Sequence, residues 1–163
     1  MTRRGVLFGI VLAYVPRAFA QQKSSGPKPP KSDLPYLLEA EKLIPTDAQQ
    51  VTRSGAKNDE TITVNGTTSS ARTPLPEPIF LFAPGQINAS DFELIQFQVV
   101  NGKRQWKKGQ PTNSGDEPEP VLRLTLRPVG EGVIRIEAAA MLNPGQFALV
   151  PRGKNTAFCF TVF

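Results

Sequence analysis

Histidine is absent from the 163 residues, and cysteine and tryptophan each occur once. Without an imidazole there is no Ser-His-Asp or Cys-His nucleophile pair, no general base titrating near neutrality, and no His-ligated zinc, iron or copper site. A single thiol excludes thiolate metal clusters and an intramolecular disulfide. Long apolar runs are also missing. The one candidate, residues 5–15, is about half the roughly 20 residues that span a bilayer as a helix.

That short run is framed as an export signal. Arg3 and Arg4 precede it and Ala18-Phe19-Ala20 follows it, so residues 1–20 read as a signal peptide cleaved after Ala20. Two adjacent arginines fit the general secretory route, with twin-arginine export as the alternative. The expected location is therefore the periplasm, cell envelope or medium. The formal charge is +5, but Arg3, Arg4 and Arg17 fall in the leader. The remaining 143 residues hold 16 basic and 14 acidic side chains, which removes the electrostatic case for nucleic acid.

Residues 21–32 contain no apolar side chain except proline and read as a disordered Pro/Lys/Ser spacer whose removal leaves stability nearly unchanged. The folded domain is expected over residues 33–163. Within it, residues 34–44 fit either a strand or a short helix behind an Asp33 cap, with the strand favoured by the β-like pattern of the downstream chain. Residues 49–60 are polar and uncommitted.

Beyond residue 60 the period is two. Strands are expected at 61–64 and 79–82, and a hairpin pairs 92–100 with 103–108 through Asn101-Gly102, whose two residues suit the positive φ of a type I′ turn. In its first arm Ile95, Phe97 and Val99 are expected to face the core and Leu94, Gln96, Gln98 and Val100 the other side. Leu122, Leu124 and Leu126 alternate with Arg123, Thr125 and Arg127, and Ile134 and Ile136 with Arg135 and Glu137. A last hairpin joins 146–150 to 157–163. The sum is an all-β chain of about seven antiparallel strands in a two-sheet sandwich.

Leu142-Asn143-Pro144-Gly145-Gln146-Phe147-Ala148-Leu149 resembles the L-x-P-G-x-Y-x-L corner of immunoglobulin-like sandwiches, where the chain crosses between sheets. Phe147 keeps the packing half of that motif and lacks the hydroxyl. Residues 33–40, 73–81, 143–150 and the terminal Phe158-Cys159-Phe160-Thr161-Val162-Phe163 together resemble a group of secreted, uncharacterised bacterial β-domain proteins. The resemblance implies export and a single immunoglobulin-like β domain, and no site.

Candidate chemistry is sparse. Lys103, Arg104, Trp106, Lys107 and Lys108 form one candidate binding patch, in which the indole stacks on a sugar or base and the cations hold an anionic group. The competing reading packs Trp106 inward and leaves the charges to protect an edge strand. Ser54 and Lys57 match S-x-x-K without its companion motifs, and Asp116, Glu117 and Glu119 lie in a loop without calcium-site spacing, so no metal or cofactor is expected. Asn65 and Asn88 head glycosylation sequons that matter only in a eukaryotic source. Cys159, flanked by Phe158 and Phe160, is expected to be buried and inert, and Phe163 alone does not make an outer-membrane barrel. The expected function is a non-catalytic binding or assembly module whose partner is a cell-envelope protein or an anionic glycan. The alternative is a His-free hydrolase of extracellular polymers using acids such as Glu93 and Glu137.

Overall fold

The computed structural model describes residues 26–109 and 121–163. Residues 1–25, which carry the expected leader and the start of the expected spacer, and residues 110–120, with Asp116, Glu117 and Glu119, lie outside the described residues. Among the described residues there are thirteen strands: β1 (Tyr36–Glu39), β2 (Lys42–Pro45), β3 (Asp47–Gln50), β4 (Thr52–Ser54), β5 (Thr61–Asn65), β6 (Arg72–Thr73), β7 (Ile79–Phe82), β8 (Phe92–Val100), β9 (Lys103–Lys107), β10 (Leu124–Gly130), β11 (Val133–Ala138), β12 (Gly145–Pro151) and β13 (Thr156–Val162). The expected antiparallel sandwich is found, with thirteen strands rather than about seven.

One sheet runs β10-β11-β7-β1-β2, the other β3-β13-β12-β8-β9-β5-β4 with β6 alongside β13. Only Val51 separates β3 from β4, so the two ends of the second sheet are one bent strand. That sheet therefore curls into a near-barrel. Residues 34–44 form the β1–β2 hairpin, because β1 also pairs with β7 and its backbone groups are used in both directions. At the β8–β9 turn Asn101 and Gly102 take φ values of 51° and 75°, as a type I′ turn requires.

The β8, β12 and β13 wall is buried on both faces. Phe92, Leu94, Phe147, Leu149, Phe158 and Phe160 meet Leu37, Phe80, Phe82 and Ile136 between the sheets. Ile95, Phe97, Ala148, Val150, Ala157 and Cys159 fill the barrel with Val51, Ile62, Val64 and Trp106. The expected division of β8 into one core face and one outer face is thus corrected: Leu94 and Ile95 are both buried, and Val99 is exposed because β8 leaves the second layer at its hairpin end. The chain crosses from one sheet to the other between β11 and β12, where the Leu142–Phe147 corner stands. Leu142 anchors it, its N–H donating to the Pro76 carbonyl at 2.7 Å.

Tyr36, Leu81 and Val133 are buried without belonging to either core. They lie on the outer face of the five-stranded sheet, where residues 26–28 share a small cavity of about 220 Å³ with Leu38 and Leu81. Pro29 is buried and Lys28 lies 3.6 Å from Glu131. Residues 26–29 therefore lie on the domain, and the stability-neutral truncation expected of the spacer does not extend to them.

Asp33 fixes the start of the domain without capping a helix. In a left-handed conformation, it donates its N–H to the Ala83 carbonyl at 2.9 Å, and its carboxylate accepts the N–H groups of Gly85, Gln86 and Ile87 at 2.8, 2.8 and 2.9 Å. Burial raises its pKa, but the three backbone donors outweigh that and hold the carboxyl below the ordinary value. A folded-state pKa below the unfolded one stabilises the fold above about pH 4, and the contribution is lost as pH falls through the folded value. Asp33→Asn is expected to make stability less sensitive to acid in that window, measured by urea titration at a series of pH values. Equal acid slopes for the two proteins would contradict this assignment.

Candidate functional site

The period of two decides the fate of the basic-aromatic segment. Along β9, Arg104 and Trp106 point into the barrel while Lys103 and Lys107 point out. Trp106 is 5% exposed and Arg104 1%, whereas Lys103, Lys107 and Lys108 are exposed. The five residues are not brought to one face, so the surface stacking platform is corrected. The competing reading holds in packing Trp106 inward and is corrected in its edge strand, because β9 lies between β8 and β5. Its lysines solvate the outside of the barrel wall, where Lys107 pairs with Asp59 at 3.2 Å.

The two inward residues mark opposite ends of the barrel. At the closed end Arg104 Nη2 donates to the Asn65 carbonyl at 3.0 Å and lies 4.0 Å from Asp47 Oδ2. Asp47 also accepts Gln49 Nε2 at 2.7 Å, and Ser69 Oγ donates to the Cys159 carbonyl at 3.0 Å. Thr161 Oγ1 donates to Gln146 Oε1 at 2.9 Å beside them. These polar groups plug the end. Arg104 Nε and Nη1 find no partner among the described residues, which makes this arginine an energetic liability held in place by the wall around it. Cys159 sits in the same interior, where burial pushes its thiol to about 12 against a smaller lowering by Arg104. Its burial is as expected.

The Trp106 end is open. β8 and β9 pair only over residues 98–100 and 103–105, then splay, and the gap holds a cavity of about 380 Å³ against Trp106. Arg53, Lys57, Lys108 and Arg152 converge on it together with Glu60 and Glu93. Both acids are already engaged: Arg53 Nη1 meets Glu60 at 2.6 Å and Arg152 Nε meets Glu93 at 2.8 Å. Lys108 Nζ donates to the Lys57 carbonyl at 3.1 Å, tying β9 to the loop after β4. The site is basic, with an indole at its floor.

Of the residues expected from sequence, Trp106 and Lys108 reach this cavity; Lys57 also lines it, and Ser54 does not. Arg53 and Arg152 were not foreseen. They come from β4 and from the β12–β13 turn, and only barrel closure brings them together. Glu93 and Glu137 stand on different sheets, the second paired with Arg135 at 2.6 Å. No cluster of acids, thiols and imidazoles suited to a metal ion occurs among the described residues, and no helix there is long and apolar enough to cross a membrane. Comparison with protein-family models, with curated proteins and with solved structures finds no match to the chain.

Proposed function

We propose that the chain is an exported, non-catalytic binding module that holds an anionic glycan at the open end of its barrel. One observation carries the reading: four cationic side chains converge over the only tryptophan, in a cavity of about 380 Å³ whose two acids are both occupied by arginines. A volume of that order suits a small-molecule or sugar-sized ligand. An indole offers an apolar platform to a sugar ring, and cations beside it favour a carboxylated or sulfated sugar over a neutral one. Export rests on Arg3, Arg4, the apolar residues 5–15 and Ala18-Phe19-Ala20.

A polymer hydrolase needs two carboxylates about 5 to 9.5 Å apart and free to exchange protons. The acids at this mouth, Glu60 and Glu93, are each committed to an arginine, and no observation favours that reading.

Trp106 is its own reporter. Titration with an oligogalacturonide is expected to change its fluorescence saturably and in a salt-sensitive way, and a neutral oligosaccharide of equal length is expected to bind far more weakly. Reversing the charges in Lys57→Glu/Lys108→Glu should weaken the response by about tenfold or more. An unchanged titration in that variant, or no response to either sugar, would contradict the proposal.

A further inference from the structure

We propose that β10 is a docking edge to which an extended, acidic segment of a protein partner adds as a further strand of the five-stranded sheet. Among the described residues β10 pairs with a strand on one side only, β11. The opposite edge of the sheet, β2, is four residues long and carries Lys42 and Pro45 at its ends, features that blunt an edge. β10 is seven residues long and keeps apolar side chains in the open, with Leu126 37% and Val129 50% exposed.

The ladder specifies which backbone groups face outward. The Ala139 N–H donates to the Arg123 carbonyl at 2.9 Å, and hydrogen bonding alternates along an antiparallel pair. Residues 123, 125 and 127 therefore spend their backbone groups on β11, while Leu124, Leu126 and Pro128 present theirs to the free side. Proline has no N–H, so it sits on the outward position without loss to the sheet. It also ends the usable edge, leaving the N–H and C=O groups of Leu124 and Leu126. Beside them runs a groove of about 430 Å³ lined by Leu122, Leu124, Leu126 and Phe92, with Arg152 at its rim.

Charge selects the occupant. Arg123 and Arg127 share the outer face of β10 with Thr125; across the ladder stand Arg135 and Glu137, which pair with each other at 2.6 Å, so the face keeps an excess of positive charge. A second copy of this chain that used both free donors would pair Leu124 with Leu126 of the other copy. It would then set Arg123 opposite Arg127 twice, and like charges directly opposed destabilise a strand pair. A strand with apolar residues facing the groove and acidic residues facing the arginines meets no such conflict. Backbone pairing supplies affinity and the alternating side chains supply specificity in this mode of recognition. The groove shares Glu93, Val121 and Arg152 with the Trp106 cavity, so the two readings are separated at the Leu124 and Leu126 amides, whose residues line the groove and not that cavity.

The test uses the full chain and two alternating heptapeptides, one of glutamate and valine and one of lysine and valine. Amide exchange read by NMR is expected to slow at Leu124 and Leu126 with the acidic peptide, by about a hundredfold when the peptide is at a hundred times its Kd. The basic peptide is expected to leave both amides unchanged. Leu126→Pro removes an outward donor that β11 does not use, so it should fold and lose the protection. Protection by both peptides alike, shifts confined to the Trp106 cavity, survival of binding in Leu126→Pro, or dimerisation abolished by that variant would each overturn the proposal.

Discussion

Phe160→Ala is expected to cost about 3 to 5 kcal/mol in a urea titration, the range for emptying a buried aromatic site. Phe160 is fully buried where the two sheets meet. Its ring lies edge-on to Phe80, with centroids 4.9 Å apart, and stacked on Phe147 at 5.5 Å. Phe80 belongs to one sheet and Phe147 to the other, so the ring bridges the layers. Removing it leaves a cavity that stiff strands on both sides close poorly. For a domain of this size such a loss is a large fraction of total stability. A cost below about 1 kcal/mol would mean that the sheets do not pack through this ring.

The second large effect is expected at the closed end of the barrel. Asp47→Ala should destabilise by about 3 to 5 kcal/mol, because it leaves Arg104 buried without its countercharge. It also removes the acceptor of Gln49. Arg104→Met should cost far less, since the variant fills similar space and no longer demands partners for Nε and Nη1. A double-mutant cycle measures the difference. Equal costs for the two single variants would show that Arg104 is satisfied by something other than Asp47.

The part of the fold that could be read in advance was the part whose signal is local. Asn101-Gly102 marks its hairpin, Leu122, Leu124 and Leu126 alternate against arginines, and the residues around Phe147 and Phe160 carry their own apolar pattern. β3 and β4 were not legible: Asp47, Gln49, Gln50 and Thr52 have no apolar period, and their pairing is imposed by β13 and β5. The same closure explains why β8 buries both Leu94 and Ile95. Strict alternation implies one core, and this wall serves two.

The candidate site was half legible for a related reason. The inward face of β9 carries Trp106 and Arg104, and a buried arginine cancels the hydropathy contrast that would have oriented the strand. The segment therefore fitted either a surface patch or an inward-packed tryptophan. Arg53 and Arg152 gave no sequence signal, because β4 and the β12–β13 turn meet Trp106 only after the sheet has curled.

The central claim is that Trp106 lies inside the barrel and is reached through a cationic mouth. Quenching of its fluorescence in the unliganded protein tests this most directly, because the chain contains no other tryptophan. Neutral acrylamide, smaller than a sugar, should reach the indole through the open end and quench it less than it does in the urea-unfolded chain. Iodide, drawn to Lys57, Lys108 and their neighbours, should quench more than caesium, and added inert salt should narrow the gap. Acrylamide quenching equal to that of the unfolded chain, or caesium quenching at least as great as iodide quenching, would place the indole outside the cationic mouth and contradict the account.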